Sequence, residues 1–122
     1  MEKPETPERF GNELFGLEIV ATDEQITVRL RGELDLSSRS TFERALARLA
    51  DERNRVVVFD LSALEFVEAH AVAQWHDVGL QLRERGSRLV LHHARPVVER
   101  LITIVDLDGT VEVVRAPTRL ND

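Results

Sequence analysis

The chain has 122 residues, of which 43% are hydrophobic and 31% charged, with a formal net charge of -6 at pH 7 and no cysteine. This length suits one domain with its own core, and the lack of cysteine excludes disulfides, thiolate metal sites and cysteine nucleophiles. The acidic balance argues against a nucleic-acid partner, because phosphate contacts need clustered lysine and arginine. We see neither a signal peptide nor an apolar stretch near the ~20 residues that span a bilayer. We therefore expect a cytoplasmic protein without direct membrane insertion.

The first third of the chain predicts a leader and a β-hairpin. Residues 1–13 are polar and contain Pro4 and Pro7, so we expect a flexible leader there. Residues 17–20 are typical of a strand. Residues 26–31 alternate apolar and polar side chains, as a strand with one buried face does. The short turn between these two strands favours antiparallel pairing.

The middle of the chain predicts helix, strand and helix. Residues 32–38 form a loop that ends in serines suited to cap a helix, and this helix is expected to run to about Glu52. The apolar run 56–59 predicts a strand buried on both faces, with Asp60 and Ser62 marking its end. A second helix should extend from Ala69 to about residue 85, with Trp75 on its buried side.

The last third predicts strand, helix and strand. Residues 89–92 are typical of a strand, and Pro96 fits the first turn of a third helix. The buried stripe of this helix is expected to contain Val97, Val98, Leu101, Ile102 and Val105. A short strand over 111–114 and a frayed tail over 116–122 complete the chain. The order ββαβαβαβ predicts an α/β sandwich with a mixed sheet of four to five strands, folded over residues 14–115.

Few residue patterns in the chain predict catalysis or metal binding. No HxxxH or HExxH spacing exists, and His92 and His93, as neighbours on a strand, should point to opposite sides. We therefore expect no metal site. No GxSxG motif or glycine-rich phosphate loop is present, so Ser62 should bond local backbone. Acidic residues near strand ends leave open an enzyme or a nucleotide-binding protein that uses carboxylates; they are Glu33, Asp35, Asp60 and Glu68.

A combination of motifs resembles the STAS domain, whose name joins sulfate transporters and anti-sigma-factor antagonists. The motifs are residues 32–35 (GELD), an amphipathic helix, residues 56–62 (VVVFDLS) and residues 66–68 (FVE). The similarity covers about residues 14–114. It implies a STAS-like sandwich and a cytoplasmic switch or adaptor without catalysis or cofactor. Free-standing members of the family bind an anti-sigma factor, often one with a kinase-type ATPase fold. That kinase can phosphorylate the antagonist on a serine or threonine at the start of the second helix.

The chain departs from the family pattern at the phosphorylation motif. Ala69 stands at the position of the acceptor serine, His70 replaces a second serine and Ala71 replaces a glycine. Ala69 has no hydroxyl group, so we expect no phosphorylation at this position.

The resemblance also indicates where a protein partner would bind. The expected face contains Glu33, Asp35, Ser37, Glu68, Ala69, His70 and Ala73. The expected partner is an anti-sigma factor with a kinase-type ATPase fold. The alternative is a STAS adaptor subunit of a membrane transporter or of a larger signalling assembly. A homodimer or an assembly with other STAS proteins remains open.

Overall fold

The computed structural model describes residues 6–49, 51–107 and 109–114. Within these residues the chain forms six strands and three α-helices. Their order is β1 (Glu8–Gly11), β2 (Phe15–Ala21), β3 (Gln25–Leu34), α1 (Arg39–Leu49), β4 (Val56–Val67), α2 (Ala69–Glu84), β5 (Arg88–His92), α3 (Pro96–Val105) and β6 (Glu112–Val114). One turn of 3-10 helix, Leu36–Ser38, joins β3 to α1.

The sheet is mixed, and its spatial order follows the chain from β1 to β6. The first three strands pair antiparallel, and β3 to β6 pair in parallel. Parallel neighbours need crossover connections, which the helices provide. The predicted α/β class with a mixed sheet is confirmed, but the sheet has six strands rather than four or five.

The additional strand is β1, which lies inside the segment that we expected to be a flexible leader. It pairs with β2 from Glu8 to Gly11. Arg48 of α1 also donates two hydrogen bonds to the carboxylate of Glu8, at 2.8 and 2.6 Å. The leader prediction therefore does not hold for this strand. Residues 1–5 and the predicted tail, 116–122, lie outside the described residues.

The core lies between one face of the sheet and the three helices. In β3 the side chains of Ile26, Val28 and Leu30 are buried, whereas those of Arg29 and Arg31 are exposed on the other face. This alternation was predicted from the sequence. The open face carries a row of residues in register across five strands: Arg9, Glu18, Arg29, Asp60 and His92. Opposite charges in this row pair at 3.1 and 3.7 Å.

β4 is longer than the sequence predicted. It does not end at Asp60 but continues to Val67, and its pairing with β3 shifts register twice. The carboxylate of Asp60 accepts the backbone N–H of Ser62 at 3.0 Å, so polar residues occupy an irregular part of the strand on the open face. The extension carries residues 66–68 alongside the end of β3.

Two buried residues of α2 show how this helix packs. Trp75 is fully buried, with its ring 5.8 Å from that of Phe59 in an edge-on arrangement, so its predicted core position is confirmed. Gly79 lies on the buried side of α2, where its lack of a side chain allows a close approach. A Cβ atom there would lie 2.7 Å from the carbonyl oxygen of Thr110, so the close approach is to the segment before β6.

The predicted stripe of α3 is only partly buried. Val98 and Ile102, four residues apart, are buried, as the spacing of one helix face requires. Val97 is 54% exposed, so its predicted burial is wrong. Leu101 and Val105 are half-buried. The helix therefore packs by a narrow stripe and presents apolar side chains to solvent.

Candidate protein-interaction site

Two strand-to-helix junctions lie side by side at one edge of the sheet. β3 and β4 pair in parallel up to Leu34 and Val67, and the backbone N–H of Glu68 then donates to the carbonyl of Leu34 at 3.0 Å. The connection to α1 and the connection to α2 therefore leave the sheet together. This is the carboxyl edge of the parallel strands, where open α/β sheets place their binding sites.

The first junction is held by a capping box. The Oδ1 atom of Asp35 accepts the backbone N–H of Ser37 at 3.0 Å and the Ser37 hydroxyl at 2.6 Å. The hydroxyl oxygen of Ser38 accepts the backbone N–H of Asp35 and donates to the carbonyl of Glu33, both at 2.9 Å. A serine was expected to cap α1. Instead, Asp35 caps the 3-10 turn that leads into α1, and Ser38 supplies the reciprocal bond.

These bonds also determine the charge of the first junction. The hydrogen bond from the Ser37 hydroxyl is the main reason that the pKa of Asp35 lies below its ordinary value. Desolvation opposes this effect, and the amides of Ser37 and Ser38 reinforce it. Hydrogen bonds to a carboxylate favour its charged form. Asp35 is therefore an anion at neutral pH, oriented by its own loop.

The second junction has no comparable cap. Glu68 occupies the N-cap position of α2, but its side chain caps no backbone amide. Its carboxylate instead accepts a hydrogen bond of 2.7 Å from the guanidinium of Arg39, at the start of α1. Both side chains of this ion pair are largely buried: Glu68 is 24% exposed and Arg39 is 32% exposed. The pair joins the two junctions to each other.

The first turn of α2 presents small side chains to solvent. Ala69, His70 and Ala73 are exposed, whereas Ala71 and Val72 face the core. The predicted start of this helix at Ala69 is confirmed. A partner can therefore approach the backbone of the turn closely at 69 and 73, which share one helix face.

The structure groups some of the predicted site residues more tightly than others. Asp35, Ser37 and Glu68 line one shallow depression of 520 Å³. Ala69, His70 and Ala73 lie on the adjoining helical turn. Glu33 is exposed at the end of β3 but does not line the depression.

Sequence reasoning missed three residues of this region. Leu36 and Phe66 line the same depression and are 70% and 45% exposed. The buried positions of the extended β4, Leu61, Leu64 and Val67, are spaced by three, which leaves Phe66 on the other side. Arg39 was also missed. A cation at the start of a helix opposes the helix dipole, and this unfavourable placement was the available signal.

The arrangement offers little for catalysis or metal binding. Glu68 is paired with Arg39, whereas Asp60 lies on the open face near Arg29, so these carboxylates have separate cationic partners. Burial raises the pKa of Asp60, but hydrogen bonds from Ser62, with His93 and Arg29 nearby, outweigh it and lower the pKa. Paired acid-base carboxylates need the opposite, one raised pKa. Across the described ranges, no group of three or more histidine, aspartate or glutamate side chains could hold a metal ion.

The histidine pair corrects one prediction. His92 and His93 were expected to point to opposite sides of a strand, but their ring centroids lie 5.4 Å apart in an edge-on contact. The strand ends at His92, and His93 adopts a positive φ of 60°. The backbone therefore turns and brings the rings together. Among the residues with described coordinates, no helix has the length and apolar character to cross a membrane.

Comparison with known proteins agrees with this architecture. The family model described as "Mlab, STAS domain" matches residues 17–115. The structure is similar to an anti-sigma factor antagonist from Mycobacterium paratuberculosis, with 23% identity, coverage of 84% of this chain and 86% of that chain, and a TM-score of 0.70. It is also similar to the anti-sigma factor antagonist SpoIIAA in its unphosphorylated form, with 20% identity, 83% and 88% coverage and a TM-score of 0.66.

A third similar structure is the STAS domain of an antisigma-factor antagonist from Rhodobacter sphaeroides, with 23% identity, 72% and 99% coverage and a TM-score of 0.54. None of the curated proteins matches the sequence significantly. The three structures are too distant in sequence to show more than a common fold. The family model, in contrast, extends from β2 through β6 and includes both junctions. The chain therefore belongs to the STAS domain family, as its motifs indicated.

Proposed function

We propose that this protein is a non-catalytic, cytoplasmic interaction module that binds an anti-sigma factor with a kinase-type ATPase fold. The observation that carries the proposal is the joined pair of junctions at the carboxyl edge of the sheet, with the exposed first turn of α2 beside them. The fold is shared with proteins named as anti-sigma factor antagonists. The binding face contains the residues Glu33, Asp35, Ser37, Glu68, Ala69, His70 and Ala73.

The charges of this face favour a partner that carries a cation at the centre of its own contact surface. Glu68 is neutralised by Arg39, whereas Asp35 is ionised and its bonds to Ser37 and Ser38 are all local. A cation on the partner opposite Asp35 would speed association and fix orientation. Affinity itself would come from shape and apolar contact.

Binding at this face is proposed to be constitutive. Ala69 is exposed, so a docked kinase has access to the position, but the side chain lacks a hydroxyl group. A phosphate adds about -1.5 to -2 charges, and here no such charge can be placed at the start of α2. The antagonist would therefore remain competent to bind whenever it is present.

Substitutions at Ala69 test both parts of the proposal. We expect Ala69→Asp to weaken binding of the captured anti-sigma factor at least ~10-fold, because a new carboxylate would lie in the interface near Asp35. Ala63→Asp is the matched control, since Ala63 is exposed on the open face of the sheet. Ala69→Ser should become a phosphate acceptor for the ATP-loaded partner, which wild type is not. Equal affinities of the two aspartate variants would contradict the proposed face.

The first experiment is affinity purification of the tagged protein from its own cells. Recovery of an anti-sigma factor with a kinase-type ATPase fold supports the proposal. The alternative, an adaptor subunit of a membrane transporter or of a larger signalling assembly, is favoured by the missing hydroxyl at Ala69, because a permanent subunit needs no switch. A transporter ATPase or a set of other STAS proteins in the eluate would replace the first proposal with this one.

A further inference from the structure

The proposed face lacks a large apolar anchor. Its exposed helical turn offers Ala69, His70 and Ala73, and its loops offer acids and a serine. Stable complexes engage about 20–30 residues on each side. Most of their binding energy comes from a few large, fully desolvated side chains. The face must therefore extend onto neighbouring surface if it is to bind a protein stably.

Large apolar side chains are exposed directly beside it. Leu36 is 70% exposed, Phe66 45%, Val97 54% and Ile104 72%. Phe66 lines the depression that contains Asp35 and also a second groove, of 210 Å³, between the end of β4 and α3. Val97 and Ile104 line that second groove. One aromatic ring thus makes the two grooves continuous.

Exposed apolar residues that occur singly need no functional explanation. Leu14 and Leu80 are examples, because they are 70% and 41% exposed and line neither groove. The residues around Phe66 differ from them by forming one strip. We call Leu36, Phe66, Val97 and Ile104 the Phe66 strip.

We propose that the Phe66 strip is the apolar centre of the partner interface, so that the bound protein extends from the start of α2 across to α3. This inference rests on the proposed function and adds α3 to the binding surface. Its occupant is the same anti-sigma factor, which would insert apolar side chains on both sides of the Phe66 ring. Burial of such side chains supplies the affinity that the loops lack.

The charges at the two ends of the strip define the partner further. The ionised Asp35 lies at one end. Arg100 lines the groove at the α3 end, and it forms no ion pair with any residue that the structure describes. The complementary segment of the partner should carry a cation, then apolar residues, then an acid. This polarity fixes the direction in which the segment crosses the strip.

The test compares two equally exposed residues. Ile104→Glu places a charge in the strip, and Leu14→Glu places the same charge on a side chain of equal exposure outside it. The probe is the purified anti-sigma factor of the kinase-type ATPase fold from the same cells, titrated by calorimetry. We expect Ile104→Glu to weaken binding at least ~10-fold, because a desolvated charge in an apolar contact is unfavourable. Leu14→Glu should bind as wild type does. Equal thermal unfolding of both variants would show that neither alters the fold.

The outcomes separate this inference from the proposed function. If Ala69→Asp weakens binding and Ile104→Glu does not, the α3 surface is outside the interface and the inference fails while the function stands. If no anti-sigma factor binds the wild-type protein, both fail. If wild type sediments as a dimer without partner and Ile104→Glu sediments as a monomer, the strip binds a second copy of the chain and the inference is overturned. A charge reversal, Arg100→Glu, should weaken binding less than Ile104→Glu does.

Discussion

The two junctions at the carboxyl edge solve the same problem in different ways. Each must begin a helix after a strand and satisfy the amides of the first turn. The β3–α1 junction does so locally, through the capping box of Asp35 and Ser38. The β4–α2 junction lacks a side-chain cap, and its acid, Glu68, instead binds Arg39, 29 residues away in the chain.

The two junctions therefore differ in how they are held. The β3–α1 loop is fixed by its own hydrogen bonds, whereas the start of α2 leaves an open surface. Every bond of the Asp35 box connects residues within five positions of one another, so this loop is ordered by its own sequence. The start of α2 keeps its first amides free of any side-chain cap in the described structure. A partner group can therefore bind there without displacing a protein side chain. The contrast supports the proposal that a partner binds at the start of α2, with the β3–α1 loop as a support beside it.

The largest effect on stability is expected from removing the hydroxyl of Ser38, the buried member of the capping box. Ser38→Ala deletes the acceptor for the Asp35 amide and the donor to the carbonyl of Glu33 in a side chain that is only 7% exposed. Leaving such buried groups unpaired costs about 1–3 kcal/mol of the free energy of unfolding. Urea denaturation followed by circular dichroism would measure the loss.

The neighbouring serine is the matched control for this experiment. The Ser37 hydroxyl is exposed and donates only to the Asp35 carboxylate, and solvent can replace that bond. Ser37→Ala should therefore change the free energy of unfolding much less than Ser38→Ala. Equal losses in the two variants would mean that the box does not support the junction in the way its geometry indicates.

The locally determined parts of the structure were predictable from the sequence. The alternation in β3, the start of α2 at Ala69 and the core position of Trp75 all follow from side-chain period and capping chemistry. These features are confirmed because neighbouring residues decide them. The same reasoning located the acids and serines of the first junction, although it assigned the cap to a serine.

The remainder depends on contacts between distant residues, which a single sequence does not display. β1 has only four residues, and its pairing with β2 and its ion pair to Arg48 become visible only in the fold. β4 continues beyond Asp60 and Ser62, because its pairing with β3 extends past these polar residues. Val97 and Phe66 fit apolar patterns that predict burial, yet no element of the described ranges covers them. The proposed binding surface was therefore the least predictable part.

The second-largest expected effect concerns the ion pair between Arg39 and Glu68, which joins the two junctions. Exposed or partly exposed pairs of this kind contribute less than about 1 kcal/mol, so the coupling energy between Arg39→Gln and Glu68→Gln in a double-mutant cycle should be small. Partner affinity should change more, because Glu68→Gln removes the carboxylate that neutralises Arg39 at the proposed face. Unfolding and calorimetric titration of the four proteins would measure both quantities. A large coupling in stability would instead assign Glu68 a structural role.

The smallest expected effect is a pH dependence of the free energy of unfolding that comes from the first junction. It is small because solvent screens the charge of Asp35. The pKa of Asp35 in the folded protein lies below its ordinary value of 3.8, chiefly through the Ser37 hydroxyl. A lowered pKa means that the unfolded chain binds the proton more tightly, so this contribution is complete above about pH 4 and is lost as pH falls through the folded pKa.

Asp35→Asn keeps an oxygen that can cap the 3-10 turn but cannot titrate. Its free energy of unfolding should therefore fall less steeply than that of wild type between about pH 4 and pH 2. Asp60→Asn removes the other lowered aspartate and is the matched comparison, because its carboxylate lies on the open face of the sheet. A carboxyl titration followed by NMR would assign each slope to its residue. Parallel stability curves for wild type and Asp35→Asn would show that the capping box does not hold Asp35 in its charged form.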